Sequence, residues 1–447
     1  MKLEQFMDQL LEAAKKGGIE TAEVYAVTGS KFRARTVNTK LDTYEVSDSC
    51  GLSLRGTVNG RMGYASTQAL DEEAIRQLVE GVIESAELNE AEEQDEIYPG
   101  DKEYPVLPDP DCDLDSVNAA QKLQVCRDMD QAAMGADPRI RQIEGSMVST
   151  SKGTLLMKNS YGLDLKSSEQ MLVAYCFPVA KDGEATSTGV DVYCGTKFAD
   201  LDAAAVGRKA AAQAISLLHA APVPSGTYRV VLDRDAMSDL LGTFCGMFSA
   251  ENAQQKLSLL AGKEGTKIAS EVITLMDDPL LPGGPASCTF DAEGCATRTK
   301  AVIDHGVLTT LLHNRKTAAR QGVQTTGNAG RAGYSGPVHV APTNLFIRPG
   351  ESTPEQLMAA VGNGLLITEV SGLHCGANPI SGDFSLISKG FVLRDGRKAE
   401  PVERITVAGN FYRLLESIRA VANDLKFNGS SVVSPTVDAG ELSVSGS

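Results

Sequence analysis

Ala221-Pro222-Val223-Pro224-Ser225-Gly226 is the stretch that divides this chain of 447 residues. Two prolines and a glycine interrupt both the helical and the strand period there. A new β run, Tyr228 to Leu232, starts immediately afterwards. The break predicts two units, residues 1–221 and residues 222–447, and each is long enough to bury a core of its own.

Upstream of the break, Leu3, Phe6, Met7, Leu10, Leu11 and Ala14 recur at helical spacing, and Gly17-Gly18 supply the stop. Alternating stretches follow at Glu23–Val27, Phe32–Val37, Thr43–Ser47 and Leu52–Val58, the last turning at Asn59-Gly60 into Arg61–Ala65. Asn-Gly between alternating runs is a hairpin signal because both residues accept positive φ. Asp71 is placed to cap a helix whose apolar stripe runs from Ala74 to Ala86. From Glu87 to Asp115 the chain is acidic and carries Pro99, Pro105, Pro108 and Pro110, which reads as an extended, solvated connection. A helix near Ser116–Ala133, further hairpins with a turn at Asn159-Ser160-Tyr161-Gly162, and an Ala-rich helix over Ala203–Leu218 complete this half.

Downstream, helices from Asp235 and from Ala250 stand among short β segments and many Gly, Asn, Asp and Pro turns. The fold class expected is therefore α+β: an N-terminal antiparallel sheet with packed helices and a C-terminal β-rich domain with inserted helices. No fixed-period repeat is present.

A net charge of -16 argues against direct nucleic-acid binding, which needs clustered Lys and Arg to displace counterions. No apolar run of membrane-spanning length and no signal-peptide core are seen, so a cytoplasmic location is expected, with no membrane partner. The nine cysteines are odd in number and never form Cys-x-x-Cys, as expected of reduced, mostly buried thiols.

The helix after the strand Tyr228–Leu232 contains Leu240-Leu241-Gly242-Thr243-Phe244-Cys245-Gly246-Met247. Ordered blocks follow it: Asp277-Asp278-Pro279, Asp291-x-Glu293-Gly294, Thr326-Gly327-Asn328-Ala329 with Arg331 and Tyr334, Gly372-Leu373-His374, Asn378-Pro379-Ile380-Ser381-Gly382-Asp383, and Ala408-Gly409-Asn410. In number and order these blocks resemble the TldD/PmbA family of cytoplasmic peptide-cleaving proteins, and the chain looks like the PmbA (TldE) branch, described as modulators of DNA gyrase. The resemblance implies a two-subunit peptidase in which zinc-bearing members carry Leu-Leu-His-Glu-x-x-Gly-His at this point and a cysteine near the C-terminus. Here the ligand and base positions are Gly242, Thr243 and Met247, and the corresponding tail, Asn428 to Pro435, has no cysteine. Zinc takes imidazole, thiolate or carboxylate, and a general base must titrate. Hence no catalytic residue and no metal ligand is expected in this chain, with zinc expected in a TldD-like partner. Histidines five apart also need a local distortion to share a helix face, and Gly246 marks where it would fall.

Implied partners are a TldD-like zinc-bearing subunit or a second copy of the chain as a dimer, together with an unfolded peptide. His374, Asn378, Ser381 and Asp383 are the candidate peptide-groove residues, by exposing backbone groups to an extended chain. His374-Cys375 in an extended segment point to opposite faces and make a poor nucleophile pair. Asp277, Asp278, Asp291, Glu293 and Asp383 offer carboxylates for a hard cation, yet each sits beside turn residues where Asp caps locally. Two further functions stay open: a homo-oligomeric peptide-binding scaffold without proteolytic activity, and a self-sufficient hydrolase built on Asp291 and Glu293. No phosphate loop and no nucleophile elbow is present.

Overall fold

The computed structural model describes residues 1–89, 96–108 and 111–447; Pro110 therefore lies outside the described residues. The first half is built in the order α1 (Leu3–Lys16), β1 (Thr21–Val37), β2 (Lys40–Val58), β3 (Arg61–Thr67), α2 (Glu72–Leu88), α3 (Ala119–Ala136), β4 (Ile140–Asn159), β5 (Asp164–Asp182), β6 (Ala185–Thr188), β7 (Asp191–Gly195) and α4 (Ala203–Ser216). Phe6, Met7, Leu10 and Ala14 are the buried stripe of α1. The Asp71 carboxylate accepts from Ala74 N at 2.8 Å and starts α2 as its position predicts. The helix expected from Ser116 begins later, because Asn118 and Gln121 close a reciprocal capping box while Leu114–Ser116 form a separate 3-10 turn.

Alternation predicts four short strands before residue 58; the structure has two long ones. Gly29-Ser30 and Ser47–Gly51 look like interruptions because they are small and polar, yet β1 is paired on both sides, and Gly29 lies between Ser49 and Gly153. Backbone groups held in two ladders need no apolar side chain to stay extended. The turn that joins β1 to β2 is Asn38-Thr39, both with positive φ (47° and 67°). Asn38 Oδ1 accepts from Ile143 N at 2.8 Å, and Thr39 N donates to the buried Asp130 carboxylate at 3.0 Å. The sheet order is β3-β2-β1-β4-β5-β6, with β7 also on β5, all antiparallel. Helices α3 and α4 cover one core with Phe32, Val148, Leu172 and Ala174, and α1 and α2 cover another with Val24, Leu52 and Leu54.

The second half runs β8 (Gly226–Leu232), α5 (Arg234–Phe244), α6 (Ala250–Gln254), β9 (Leu275–Asp277), β10 (Lys300–Asp304), β11 (Val307–Leu308), α7 (Arg315–Gln321), β12 (Ala329–Arg331), β13 (Val338–Val340) and β14 (Leu345–Ile347). It continues with α8 (Pro354–Val361), β15 (Gly364–Ser371), α9 (Leu373–Gly376), β16 (Asp383–Arg394), β17 (Arg397–Asn410), α10 (Phe411–Ser417), β18 (Ala420–Val421), β19 (Val432–Val433) and β20 (Val437–Ser445). Strands β17-β16-β15-β8-β20 pair in that order, and β17 pairs again with β20, so five strands close a ring. Val230, Leu232, Leu365, Ile367, Leu386, Val407 and Val437 belong to its core. A second sheet, β11-β10-β9-β14-β19, lies beside it. The architecture is thus α+β in both halves.

A buried ion cluster joins the halves. Glu23 on β1 receives Arg55 from β2 at 2.9 Å and Arg331 from β12 at 2.7 Å, and the Arg331 guanidinium lies 4.3 Å from the centre of the Tyr25 ring. Burial pushes the Glu23 carboxyl up, but the two guanidiniums, Arg55 before Arg331, outweigh it and hold it below its usual value. Nearby, Tyr64 OH donates to Tyr334 O at 2.6 Å. Residues 96–108 correct the expectation of a solvated connection: Ile97 is buried, Tyr98 O accepts from Asn159, Tyr104 OH donates to Gly294 O, and Asp101 accepts from Ala296 N. The segment straps across the junction because the Tyr98 carbonyl bonds Asn159 in the first half while the Tyr104 hydroxyl and the Asp101 carboxylate bond Gly294 and Ala296 in the second.

The cysteines are all free, but only Cys126, Cys176 and Cys295 are fully buried while Cys375 is exposed, fewer than expected. Among the described residues no helix is long and apolar enough to cross a membrane.

Candidate functional site

Helix α5 starts from Asp233, whose carboxylate accepts from Asp235 N and Ala236 N. Its apolar face, Met237, Leu240, Leu241 and Phe244, packs into the core of the ring, where Phe244 stacks on Phe411 at 4.7 Å. After Phe244 the α-helix tightens into a 3-10 turn over Cys245–Phe248; the helix is thus distorted at Gly246, but not so as to bring positions 242 and 247 to one face. It carries Met247 to the buried side, 1% exposed, while Gly242 lies on the exposed face. A Cβ built on Gly242 would meet nothing within 4 Å. The Thr243 hydroxyl donates to Asp239 O at 2.8 Å, an ordinary intrahelical bond. Gly242 offers no donor atom, Thr243 a neutral hydroxyl turned to its own helix, and Met247 a thioether in the core. This donor set does not fit a zinc ion.

The tail, 428–434, lies along the same helix. Ser434 N donates to Ser238 Oγ at 2.9 Å, Asn428 Nδ2 reaches Asp235 at 3.3 Å, and β19 pairs in parallel with β14. The fold therefore sets the tail against α5, and no thiol or imidazole stands on this stretch of it.

The proposed groove residues fall on one loop at the edge of the ring. His374 and Cys375 sit on the single helical turn α9, not on an extended segment, because Gly372 at φ 81° turns the chain into it; both are exposed, and Cys375 Sγ donates to Gly372 O at 3.3 Å. Asn378 Oδ1 accepts from Ile380 N and Ser381 N, Asn378 O accepts from Gly382 N, and Ser381 Oγ donates to Asp383 Oδ2 at 2.8 Å. Asn410 Nδ2 donates to both Ser381 O and Asp383 Oδ1 at 2.8 Å. The Asn410 and Ser381 donors hold the Asp383 carboxyl below its usual range. The backbone donors from 380 to 383 are thus consumed inside the loop, and His374, Cys375, Pro379 and the 42%-exposed Ile380 are among the side chains exposed on it.

Of the candidate carboxylates, the structure brings together Asp291 and Glu293, and adds Cys295, which spacing alone did not single out; their ligand atoms lie within 4.8 Å of one another, all buried. Asp277 instead pairs with Lys300 at 2.8 Å and accepts from Thr343 and Asn328. Asp291 closes an Asx-type turn: Oδ1 accepts from Glu293 N and Cys295 N, and Oδ2 from Ala329 N. Glu293 accepts from Arg315 N at 2.8 Å. Burial pushes Asp291 up to about 6, and burial followed by the neighbouring Asp291 charge pushes Glu293 up to about 7. Burial likewise drives the Cys295 thiol well above its usual value. The group acts as a hydrogen-bonded corner beside the interdomain ion cluster.

A long-stranded antiparallel sheet joined to a five-stranded ring with an inserted α5 defines a mixed α+β scaffold. Family models match it along most of its length: PmbA/TldA metallopeptidase domain 1 over residues 22–86, the central domain over 112–218 and the C-terminal domain over 225–446. The chain belongs to the PmbA/TldD metallopeptidase family. A Thermotoga maritima crystal structure, described as a candidate modulator of a DNA gyrase, is 32% identical, covers 99% of this chain and 100% of that one, and superposes with a TM-score of 0.92. Metalloprotease PmbA of Escherichia coli O157:H7 is 27% identical over 429 residues, 95% of this chain and 92% of that protein. TldE from Thermococcus kodakarensis, at 22% identity over 99% of this chain and 100% of that one, shares the fold with a TM-score of 0.88.

Proposed function

We propose that this chain is the metal-free, PmbA/TldE-like subunit of a two-protein, TldD-type zinc peptidase of the cytoplasm, acting on unfolded peptides. The observation that carries the reading is the chemistry of one locus: Gly242, Thr243 and Met247 on α5, with the cysteine-free tail laid against the same helix. Water activation belongs to the zinc of the TldD-like partner. This chain contributes interface and the wall of a peptide groove. In the groove loop Asn378, Ser381 and Asp383 hold one another rigid, and His374 and Ile380 meet the peptide. Side chains rather than backbone donors make that contact, because the loop's own N–H groups are already bonded.

The test is peptidase activity on an unfolded peptide together with zinc quantification, for the chain alone and for its mixture with the TldD-like homologue of the same genome. Activity and one zinc per pair are expected only in the mixture. Zinc and activity in the isolated chain would overturn the reading. Peptide binding by a homodimer in chelator, with no effect of the homologue, would assign the chain to the peptide-binding scaffolds instead.

A further inference from the structure

We propose that the open edge of β2, residues 40–50, pairs in antiparallel fashion with the same edge of a second copy of this chain. β3 pairs with β2 only from Leu52 to Val58, and among the described residues no backbone bond outside the β1 ladder reaches residues 40–50. On that side the strand presents a row of N–H and C=O groups, and the partner that matches such a row is another extended backbone. β5 has a comparable open stretch, residues 164–171, but fills it with Lys166, Ser167, Ser168, Glu169 and Gln170. Polar and charged residues of this kind keep an edge from pairing. β2 instead exposes Leu41, Tyr44 and Val46, at 55%, 51% and 64%. Its carboxylates are partly answered within the sheet: Asp42 pairs with Arg35 at 2.9 Å, and Glu45 stands opposite Arg33.

Register places the three apolar residues on one face. Val46 stands opposite Phe32, Tyr44 opposite Ala34 and Leu41 opposite Thr36, and these three β1 residues are buried. Helix α3 covers β1, β4 and β5 on that face. The apolar surface runs on from Phe32 to β2, where the Tyr44 ring meets the Phe32 ring edge-on at 5.4 Å. A second copy related by a two-fold axis sets this row against itself, so each copy covers the apolar residues of the other. Charge selects the register. An axis through Glu45 would oppose the two Glu45 carboxylates. An axis through Val46 opposes Val46 to Val46, Glu45 to Ser47, Tyr44 to Asp48 and Thr43 to Ser49, with no like charges facing. A free peptide would need a matching alternation of its own, whereas a second copy carries the complementary strand by symmetry. The apolar row is small, so a dissociation constant on the order of 1–10 μM is expected. Salt should tighten it, because each chain carries a net charge of -16.

Self-pairing at this edge is independent of the peptidase reading, and sedimentation equilibrium of the full chain, without any TldD-like homologue, tests it. A monomer–dimer equilibrium is expected, tighter at about 0.5 M than at about 0.05 M sodium chloride. Val46→Lys and Val46→Glu should each weaken it at least about tenfold, because each removes apolar contact and opposes like charges at the axis. A one-to-one mixture of the two variants should recover much of it, because the introduced charges then attract. Ser167→Lys, on the open stretch of β5, should change nothing. Val46 is exposed, so its variants are expected to fold. A chain that stays monomeric to about 100 μM overturns the proposal. So does a dimer that Val46→Lys leaves unchanged, or one that mixing the two variants does not recover. An unfolded peptide bound by a monomeric chain, and lost with Val46→Lys, would give the edge to a peptide and overturn it too.

Discussion

Two parts of the molecule carry opposite kinds of chemistry. At the junction, Glu23, Arg55, Arg331, Asp291 and Glu293 crowd ionisable groups into a dry interior with hydrogen-bond partners on both halves. At the α5 locus, where the family resemblance implies a reaction centre, Gly242, Thr243 and Met247 supply no ionisable side chain. Charge is thus concentrated where the two halves meet, while these three α5 positions carry none.

The sharpest way to break this contrast is to remove Glu23. Glu23→Ala leaves two guanidiniums buried and is expected to cost about 3–5 kcal/mol in a urea melt. Arg331→Met should cost clearly less, because Glu23 keeps Arg55. No loss on Arg331→Met would mean that the cluster does not act across the junction. Next, Met247→His is expected to lose on the order of 2–4 kcal/mol, since a polar ring replaces a core thioether. The triple change Gly242→His, Thr243→Glu, Met247→His should still retain no stoichiometric zinc by elemental analysis, as Met247 points into the core.

The third effect is pH-dependent. Glu293 has a folded pKa of about 7, above its unfolded value, so the unfolded state ionises first and the parent loses stability as pH rises from about 4.5 to 7. Glu293→Gln abolishes that loss: little difference from the parent is expected near pH 4, and a relative gain on the order of 2–3 kcal/mol by pH 8. Urea midpoints at the two pH values measure it, and a variant that weakens as pH rises would show the carboxylate to be stabilising when charged. The smallest effect belongs to Gly242→Ala. With open space for a Cβ in an exposed helix, it should add about 0.5–1 kcal/mol and leave the activity of the reconstituted pair unchanged.

What was legible in the sequence was local. The start and stop of α1, the Asp71 cap, the Asn159–Gly162 turn and the break before β8 each depend on neighbours in the chain. What was not legible depends on distant partners. The Asn38-Thr39 turn is fixed by Asp130, 91 residues on from Thr39. The continuity of β1 through Gly29 needs β4, and the strap at 96–108 needs Gly294 and Ala296. For the candidate site, the spacing of Asp291 and Glu293 announced a turn, but Cys295 joins them only because the turn folds back. The contact between the tail and α5 spans 196 residues and has no local signal at all.

The five-stranded ring imposes an order on biosynthesis. Its first strand, β8, leaves the ribosome about two hundred residues before β20, the strand that must lie between β8 and β17. Until residues 437–445 emerge, β8 has one open side and the apolar interior stays uncovered, whereas the sheet of β1 to β7 already has every strand it needs. Nascent chains are therefore expected to hold a protease-resistant N-terminal fragment while the remainder is still digestible, and that window is when a chaperone would matter. Pulse proteolysis of ribosome-bound chains arrested before and after residue 445 would display the switch.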